Sequence, residues 1–277
     1  GLDVTNSLSQ CWNKIQRVLF PFLEDELGPL SERQQLLVTI IEMVRFEDFI
    51  VVKKGGMGRP QKERVAIAKA FVAKAVYNFP TTRILLDRID SDRVLRQICG
   101  WERRSNVPDE SCFSRAFSEF AESGLMARIH EAVVVAYRSD RIVGHVNRDS
   151  TAIESREKPL KKEPLPEAKR KRGRPKKTEK KPSRISRQAN MSLAQMLEDL
   201  PKPCDIGSKK NSQGYVESWK GYKLHLDVAD AQIPLSAILT SASVHDSQVA
   251  LPLMAMTSGR VDYLYDVMDA AYDSVDI

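Results

Sequence analysis

Two acidic stretches, far apart in the chain, hold the residue types best able to do chemistry. They are Val146-Asn-Arg-Asp149-Ser150-Thr151-Ala152-Ile153 and Leu264-Tyr-Asp-Val-Met-Asp269-Ala-Ala-Tyr272-Asp273-Ser274. In each, a short β-prone run leads into an aspartate followed by small and hydroxyl residues. Two strands that end in Asp can set their carboxylates side by side at one edge of a sheet. Paired carboxylates are hard oxygen donors suited to holding Mg²⁺ beside a phosphate. A single Asp after a strand is most often a turn or cap residue, so the chemistry rests on the pair Asp149 and Asp269. Between them lies Lys171-Arg172-Gly173-Arg174-Pro175-Lys176-Lys177. A glycine between two arginines lets the backbone lie flat in a narrow groove, and Pro175 keeps the chain extended. The narrow, electronegative minor groove of AT-rich DNA draws such arginines most strongly. The plainer reading is a solvated basic linker that binds any polyanion. A candidate metal site beside a DNA-binding segment points to chemistry on DNA.

The elements that must position these residues can be read from periodicity. Residues 6–48 carry apolar groups at helical spacing, with Ser31 as a cap before Leu36, Leu37, Ile40 and Ile41. A glycine-rich break over 51–60 follows, then a predicted helix from Gln61 to Asn78 with Val65, Ala68, Val72, Ala75 and Val76 near one face. Pro80-Thr81-Thr82 caps one or two short helices between Ile84 and Ile98. Asp109 and Glu110 open a further helix that turns Phe113, Ala116, Phe117 and Phe120 inward, and Met126 to Tyr137 ends the helical half. The pattern changes at Arg141. Ile142–Asn147 reads as a strand, as do Trp219–Val228, Leu235–Thr240 and Tyr263–Met268, with a short helix over Asp246–Met256. In the second strand Tyr222, Leu224, Leu226 and Val228 share one face and Lys223, His225 and Asp227 the other. A histidine on such a half-exposed face needs no function. If the hairpin strands lie beside the first strand and a crossover returns the last one parallel to it, Asp149 and Asp269 become neighbours. The fold class is therefore α+β or α/β. A helical DNA-binding and dimerisation domain over 1–140 precedes a mixed-sheet domain over 141–277, which a basic insert interrupts at 154–190.

Composition narrows the partners. The net charge of +6 is one segment's property: residues 151–190 hold 15 Lys/Arg against 5 Asp/Glu, while the rest holds 28 against 32. A local basic block favours a polyanion. The insert almost lacks large apolar groups and is expected to be disordered without DNA. No apolar run approaches the roughly 18 residues that span a membrane. Cys11, Cys99, Cys112 and Cys204 are scattered without a Cys-x-x-Cys pair, which argues for a reducing compartment and against structural zinc. The helices from about Leu85 to Phe120 allow a helix-turn-helix unit with Ser111, Ser114, Arg115 and Ser118 toward DNA, although a plain helical bundle explains the same pattern.

The motifs together resemble the DDE transposases of bacterial insertion sequences. Arg148-Asp149-Ser150-Thr151-Ala152-Ile153-Glu154-Ser155-Arg156-Glu157-Lys158-Pro159 resembles the family's first-Asp motif. Thr240–Ser247, with His245 and Asp246, resembles the segment after its third strand, and Asp269-Ala-Ala-Tyr272-Asp273-Ser274 its second-Asp motif. Pro80–Arg83 and Pro108–Arg115 are similar to its helical N-terminal domain. The resemblance implies an RNase H-like catalytic domain in which Asp149 and Asp269 hold two Mg²⁺ ions, with Mn²⁺ able to substitute. It also implies binding to the terminal inverted repeats and to target DNA, a homodimer, and a cytoplasmic, nucleoid-associated location in a bacterium. Water would attack the phosphodiester at the element end, and the freed 3′-OH would then attack target DNA.

The family's third carboxylate is a Glu in a Tyr-x-x-Arg-x-x-x-Glu pattern well beyond the second Asp motif. The sequence stops at Ile277 without it. Glu154 and Glu157 lie too close to the first strand to replace it, and Asp246 and Asp273 read as local caps. The resemblance therefore implies a transposase cut short, or the first part of a longer one, whose RNase H-like sheet is incomplete and which binds DNA without cleaving it. Two rivals stand beside it: a non-catalytic DNA-binding regulator derived from a shortened transposase, and an architectural AT-hook protein whose folded parts only dimerise.

Overall fold

Helix boundaries in the first half follow local capping chemistry. The computed structural model describes residues 10–51, 63–138, 142–160, 183–210 and 213–268. The chain divides into two units, Gly1–Tyr137 and Arg138–Ile277. In the first, a π-helical turn (Ile15–Leu19) runs into α1 (Phe20–Leu27). Ser31 and Gln34 then form a capping box that starts α2 (Glu32–Val44). The helix α3 (Arg64–Val76) follows. Thr81 accepts from the Ile84 amide at the start of α4 (Thr82–Ser91), and Asp92 caps α5 (Arg93–Cys99) by accepting from Leu95. Asp109 does the same for Cys112 at α6 (Glu110–Glu122), and α7 (Leu125–Arg138) completes the series.

The core of this unit gathers around α3. Its small residues Ala66, Ala68, Ala70 and Ala73 are buried along with Val65 and Ile67, so the helix is enclosed on more sides than the single face expected from its sequence. Leu37, Leu85, Ile89, Leu95 and Phe113 pack into the same cluster. Each fully buried Leu, Ile or Phe contributes roughly 1.5–3 kcal/mol. Phe113 and Phe120 meet Phe71 edge-on, at 5.6 and 6.5 Å between ring centres. Phe117, expected inside, instead lies at the surface with 62% exposure, its ring against Phe71. It sits one position past Ala116, where α6 turns toward solvent.

The second unit is a mixed sheet of five strands: β1 (Val143–Glu154), β2 (Asp205–Lys210), β3 (Val216–Ala229), β4 (Ile233–Ser241) and β5 (Tyr263–Met268). The strand β1 lies between β3, antiparallel, and β5, parallel. β2 and β4 pair with successive halves of β3. A helix, α10 (Ala250–Ser258), links β4 to β5 and packs on β3 and β4. Such a crossover is what a parallel return requires. Leu200, Ile238, Val244, Val249 and Leu253 form the apolar core beneath it. At the far end of the β1–β3 ladder the backbones close on Gly221, whose φ is +150°. A Cβ there would stand 2.1 Å from the Ile153 carbonyl oxygen, so only glycine fits.

The structure revises three expectations for this half. The first strand does not end at Asp149: β1 continues to Glu154, because its later residues pair with β3. Second, two helices and a strand fill the region after the insert: α8 (Arg184–Gln188), α9 (Leu193–Asp199) and β2. Residues 184–188 had been included in the segment expected to be unfolded. Ile185 and Gln188 are buried there, and Arg184 and Arg187 both pair with Asp199. Third, the polar face of β3 is the enclosed one. His225 and Asp227 are fully buried, whereas Leu224, Leu226 and Val228 are half-buried. The polar side chains tolerate enclosure because each finds partners there.

Candidate active site and DNA-facing surfaces

Asp149 stands on the outer face of β1. Its neighbours at alternate positions, His145, Asn147, Thr151 and Ile153, are likewise exposed, and Val146 and Arg148 point inward. The Asp149 carboxylate accepts a 2.7 Å hydrogen bond from the Ser150 amide. Among the described residues no cation pairs with it, which leaves a hard oxygen donor of the type Mg²⁺ takes. The parallel ladder between β1 and β5 runs from Val143 opposite Tyr263 to Arg148 opposite Met268. Those last partners immediately precede Asp149 and Asp269 in the sequence. Asp269 lies outside the described residues, as do Lys171, Arg172, Gly173, Arg174, Pro175, Lys176 and Lys177. Among the described residues no group of three acidic, His or Cys side chains gathers as a metal cage.

The inner face beneath Asp149 holds a charge cluster that no sequence motif announces. The Arg148 guanidinium is fully buried and grips Asp227 of β3 through Nε and Nη2, both at 2.8 Å. Its Nη1 reaches Asp266 of β5 at 3.1 Å. Thr257 of α10 donates to Asp227 at 2.6 Å, its hydroxyl also meets that of Ser236 at 2.9 Å, and Arg260 reaches the Leu235 carbonyl at 2.6 Å. Burial pushes the Asp266 carboxyl above its usual range; Arg148 draws it back and Asp227 adds to the rise. This cluster explains why Arg148 leaves its neighbour Asp149 unneutralised: its fork is occupied on the opposite face of the sheet.

A second polar group sits nearby on the same inner face. His225 is in hydrogen-bond contact with Thr240 through Nε2 at 3.1 Å, and its Nδ1 lies 3.6 Å from Asp246. Lys223 binds Asp246 at 3.0 Å and the Val244 carbonyl at 2.9 Å. Burial lowers the His225 pKa to about 4; Asp246 opposes the shift and Lys223 adds to it. His225 is therefore a neutral core residue at pH 7. Asp246, read from the sequence as a local cap, ties the segment after β4 back to β3. The alternation in β3 contained a signal for this arrangement, since charged residues at Lys223, His225 and Asp227 on one face require either solvent or partners.

In the helical unit, Ser111, Ser114, Arg115 and Ser118 lie exposed along α6. Their polar atoms turn back on the helix. Arg115 donates to the Ser111 carbonyl at 3.3 Å and to the Ser111 hydroxyl at 3.2 Å, and Ser114 and Ser118 donate to carbonyls four residues earlier. Asp109, held down to about pKa 2 by the Ser111 hydroxyl and the Cys112 amide, occupies the helix N-terminus. A phosphate is disfavoured at an N-terminus already filled by carboxylates.

No helix among the described residues is long and apolar enough to cross a membrane. Residues 24–119 match the model of a family described as a transposase domain (DUF772). That stretch lies wholly within the helical unit and supports a protein of the transposase family. Searches of curated proteins and of solved structures return no match.

Proposed function

We propose that this transposase-family chain recognises the ends of a mobile element through its helical unit and carries catalytic carboxylates for DNA cleavage and strand transfer on its mixed sheet. The observation that carries the catalytic part is the parallel pairing of β1 with β5. Its ladder reaches Arg148 and Met268, the residues directly before Asp149 and Asp269. One further step in that register would set the carboxylates side by side. Asp149 fits Mg²⁺, because it offers an exposed oxygen donor that no cation among the described residues neutralises. Asp149 and Asp269 would hold the ion. When bound, it supplies charge neutralisation at the scissile phosphate and acidity to the attacking hydroxyl. The chain's own contribution is to present two carboxylates from a rigid sheet and to hold the phosphodiester near them. The basic run Lys171–Lys177 would add backbone affinity, with a preference for AT-rich minor groove through Arg172 and Arg174.

The test is a nicking and strand-transfer assay on DNA that carries the element's ends, with Mg²⁺ or Mn²⁺, beside Asp149→Ala. Activity lost in the variant supports the reading. DNA binding without any metal-dependent cleavage by the parent chain favours a DNA-binding regulator, and metal-dependent cleavage that persists in Asp149→Ala removes Asp149 from the site.

A further inference from the structure

We infer that Arg148 is a positioning residue, whose buried guanidinium sets the lateral spacing and register of the two strands that lead into Asp149 and Asp269. The inference rests on the proposed carboxylate pair and adds the part that would place it. Among the described residues β5 pairs with β1 alone, through a ladder from Val143–Tyr263 to Arg148–Met268. An edge strand held by one short parallel ladder is free to slip or splay. A slip of one residue moves a strand end by about 3.3 Å and turns its side chains to the other face. Backbone pairing alone leaves such a slip cheap. Arg148 makes it expensive. One arm of its fork is locked to Asp227 on β3, and the other holds Asp266, three residues before Asp269. A slip would abandon a guanidinium that has no exposure to water.

The residue types support this role. A planar fork can serve two carboxylates on two strands at fixed angles, and an ammonium cannot. The cation also lies at the last described rung of the β1–β5 ladder, adjacent in sequence to Asp149, where a lateral error would be felt most. Two acids share the one arginine, and among the described residues Asp266 Oδ1 is buried without a hydrogen-bond partner.

The experiment uses the full chain with Asp149→Cys and Asp269→Cys. The pair is equilibrated in a glutathione redox buffer, and the linked peptides are identified by mass spectrometry, which separates them from links to native cysteines. The readout is the effective concentration of the pair. Three changes are compared in this background: Arg148→Met, the milder Asp266→Asn, and Leu253→Ala, which weakens the core of the same unit and removes no member of the cluster. We expect ready closure in the parent pair, at least a tenfold loss of effective concentration with Asp266→Asn, and none with Leu253→Ala at matched folded fraction. Asp266→Asn leaves Arg148 paired to Asp227, so it decides the matter even if Arg148→Met fails to fold. An unchanged value in Asp266→Asn, or an equal loss in Leu253→Ala, overturns the inference, as does a parent pair that does not close. A separate arm measures Mn²⁺ affinity in the chain with both aspartates present. A parent that binds no Mn²⁺ while the cysteine pair behaves as expected removes the metal reading and leaves the positioning role in place.

Discussion

Replacing Asp227 by alanine is expected to loosen the sheet far more than any surface change. The carboxylate accepts from Arg148 Nε and Nη2 at 2.8 Å each and from Thr257 at 2.6 Å, and both it and the arginine are fully buried. Thr257 keeps its bond to Ser236, so the loss falls on Arg148. Its remaining partner is Asp266, at a single 3.1 Å contact. Removing one member of a buried pair leaves a charge in a site that water does not reach, which costs about 3–5 kcal/mol. Against a total of roughly 5–15 kcal/mol, that is a large share. For a unit of this size it corresponds to a fall of roughly 10–20 °C in Tm. Asp227→Asn keeps one acceptor but turns an amide donor toward other donors, and should cost less, about 1.5–3 kcal/mol. Amide exchange followed by mass spectrometry on the full chain reads the opening of peptides from β1 and β3 directly. A loss under about 1 kcal/mol in Asp227→Ala, the ordinary scale of a point substitution, would refute the view that this cluster holds the three strands together.

Further expectations follow from the same geometry. Asp149→Asn removes an exposed carboxylate that accepts from the next amide, so unfolding should shift by no more than about 0.5 kcal/mol while Mn²⁺ affinity falls; a strongly destabilised variant would assign Asp149 a structural role. His225 has a folded pKa of about 4, below its ordinary value near 6.5, so the unfolded chain takes up the proton first and stability falls as pH drops through that window. The slope from this group reaches about 1.4 kcal/mol per pH unit, and His225→Gln should flatten the loss seen in urea titrations between pH 7 and 5. Arg115→Ala should weaken DNA binding, lower the slope of log affinity against log salt by about 1, and leave the melting temperature unchanged; unaltered affinity would remove this helix flank from the interface. Changing Arg172 and Arg174 together to alanine should weaken binding most on AT-rich duplexes, and equal losses on AT-rich and GC-rich DNA would reduce that run to a nonspecific tether.

Much of this architecture was legible without coordinates, for local physical reasons. Ser31, Thr81 and Asp109 announce helix starts because a side-chain oxygen before an apolar periodic run satisfies amides that the helix leaves open. Tyr263–Met268 reads as a strand from its own β-prone residues, and the structure places it on those residues. The motif around Asp149 is equally local. What the sequence did not disclose depends on contacts between distant residues. β2 has little apolar alternation in Asp205–Lys210 and exists because β3 offers it a partner. Residues 184–188 sit in a charged stretch that composition assigns to disorder, yet Asp199 pairs with both of its arginines and Ile185 is buried. The inside of β3 was inverted for the same reason. Alternation tells which residues share a face, but which face is enclosed depends on what packs against it. Arg148, Asp266 and Thr257 arrive from 79, 39 and 30 residues away to make the polar face of Asp227 a tolerable interior. The sequence by itself determined the helix starts at Ser31, Thr81 and Asp109 and the strand Tyr263–Met268, because capping and β-propensity are local. Only the tertiary structure decided that Arg148, the neighbour of Asp149, is spent on the opposite face, because ion pairing across strands is set by register, and register is a property of the assembled sheet.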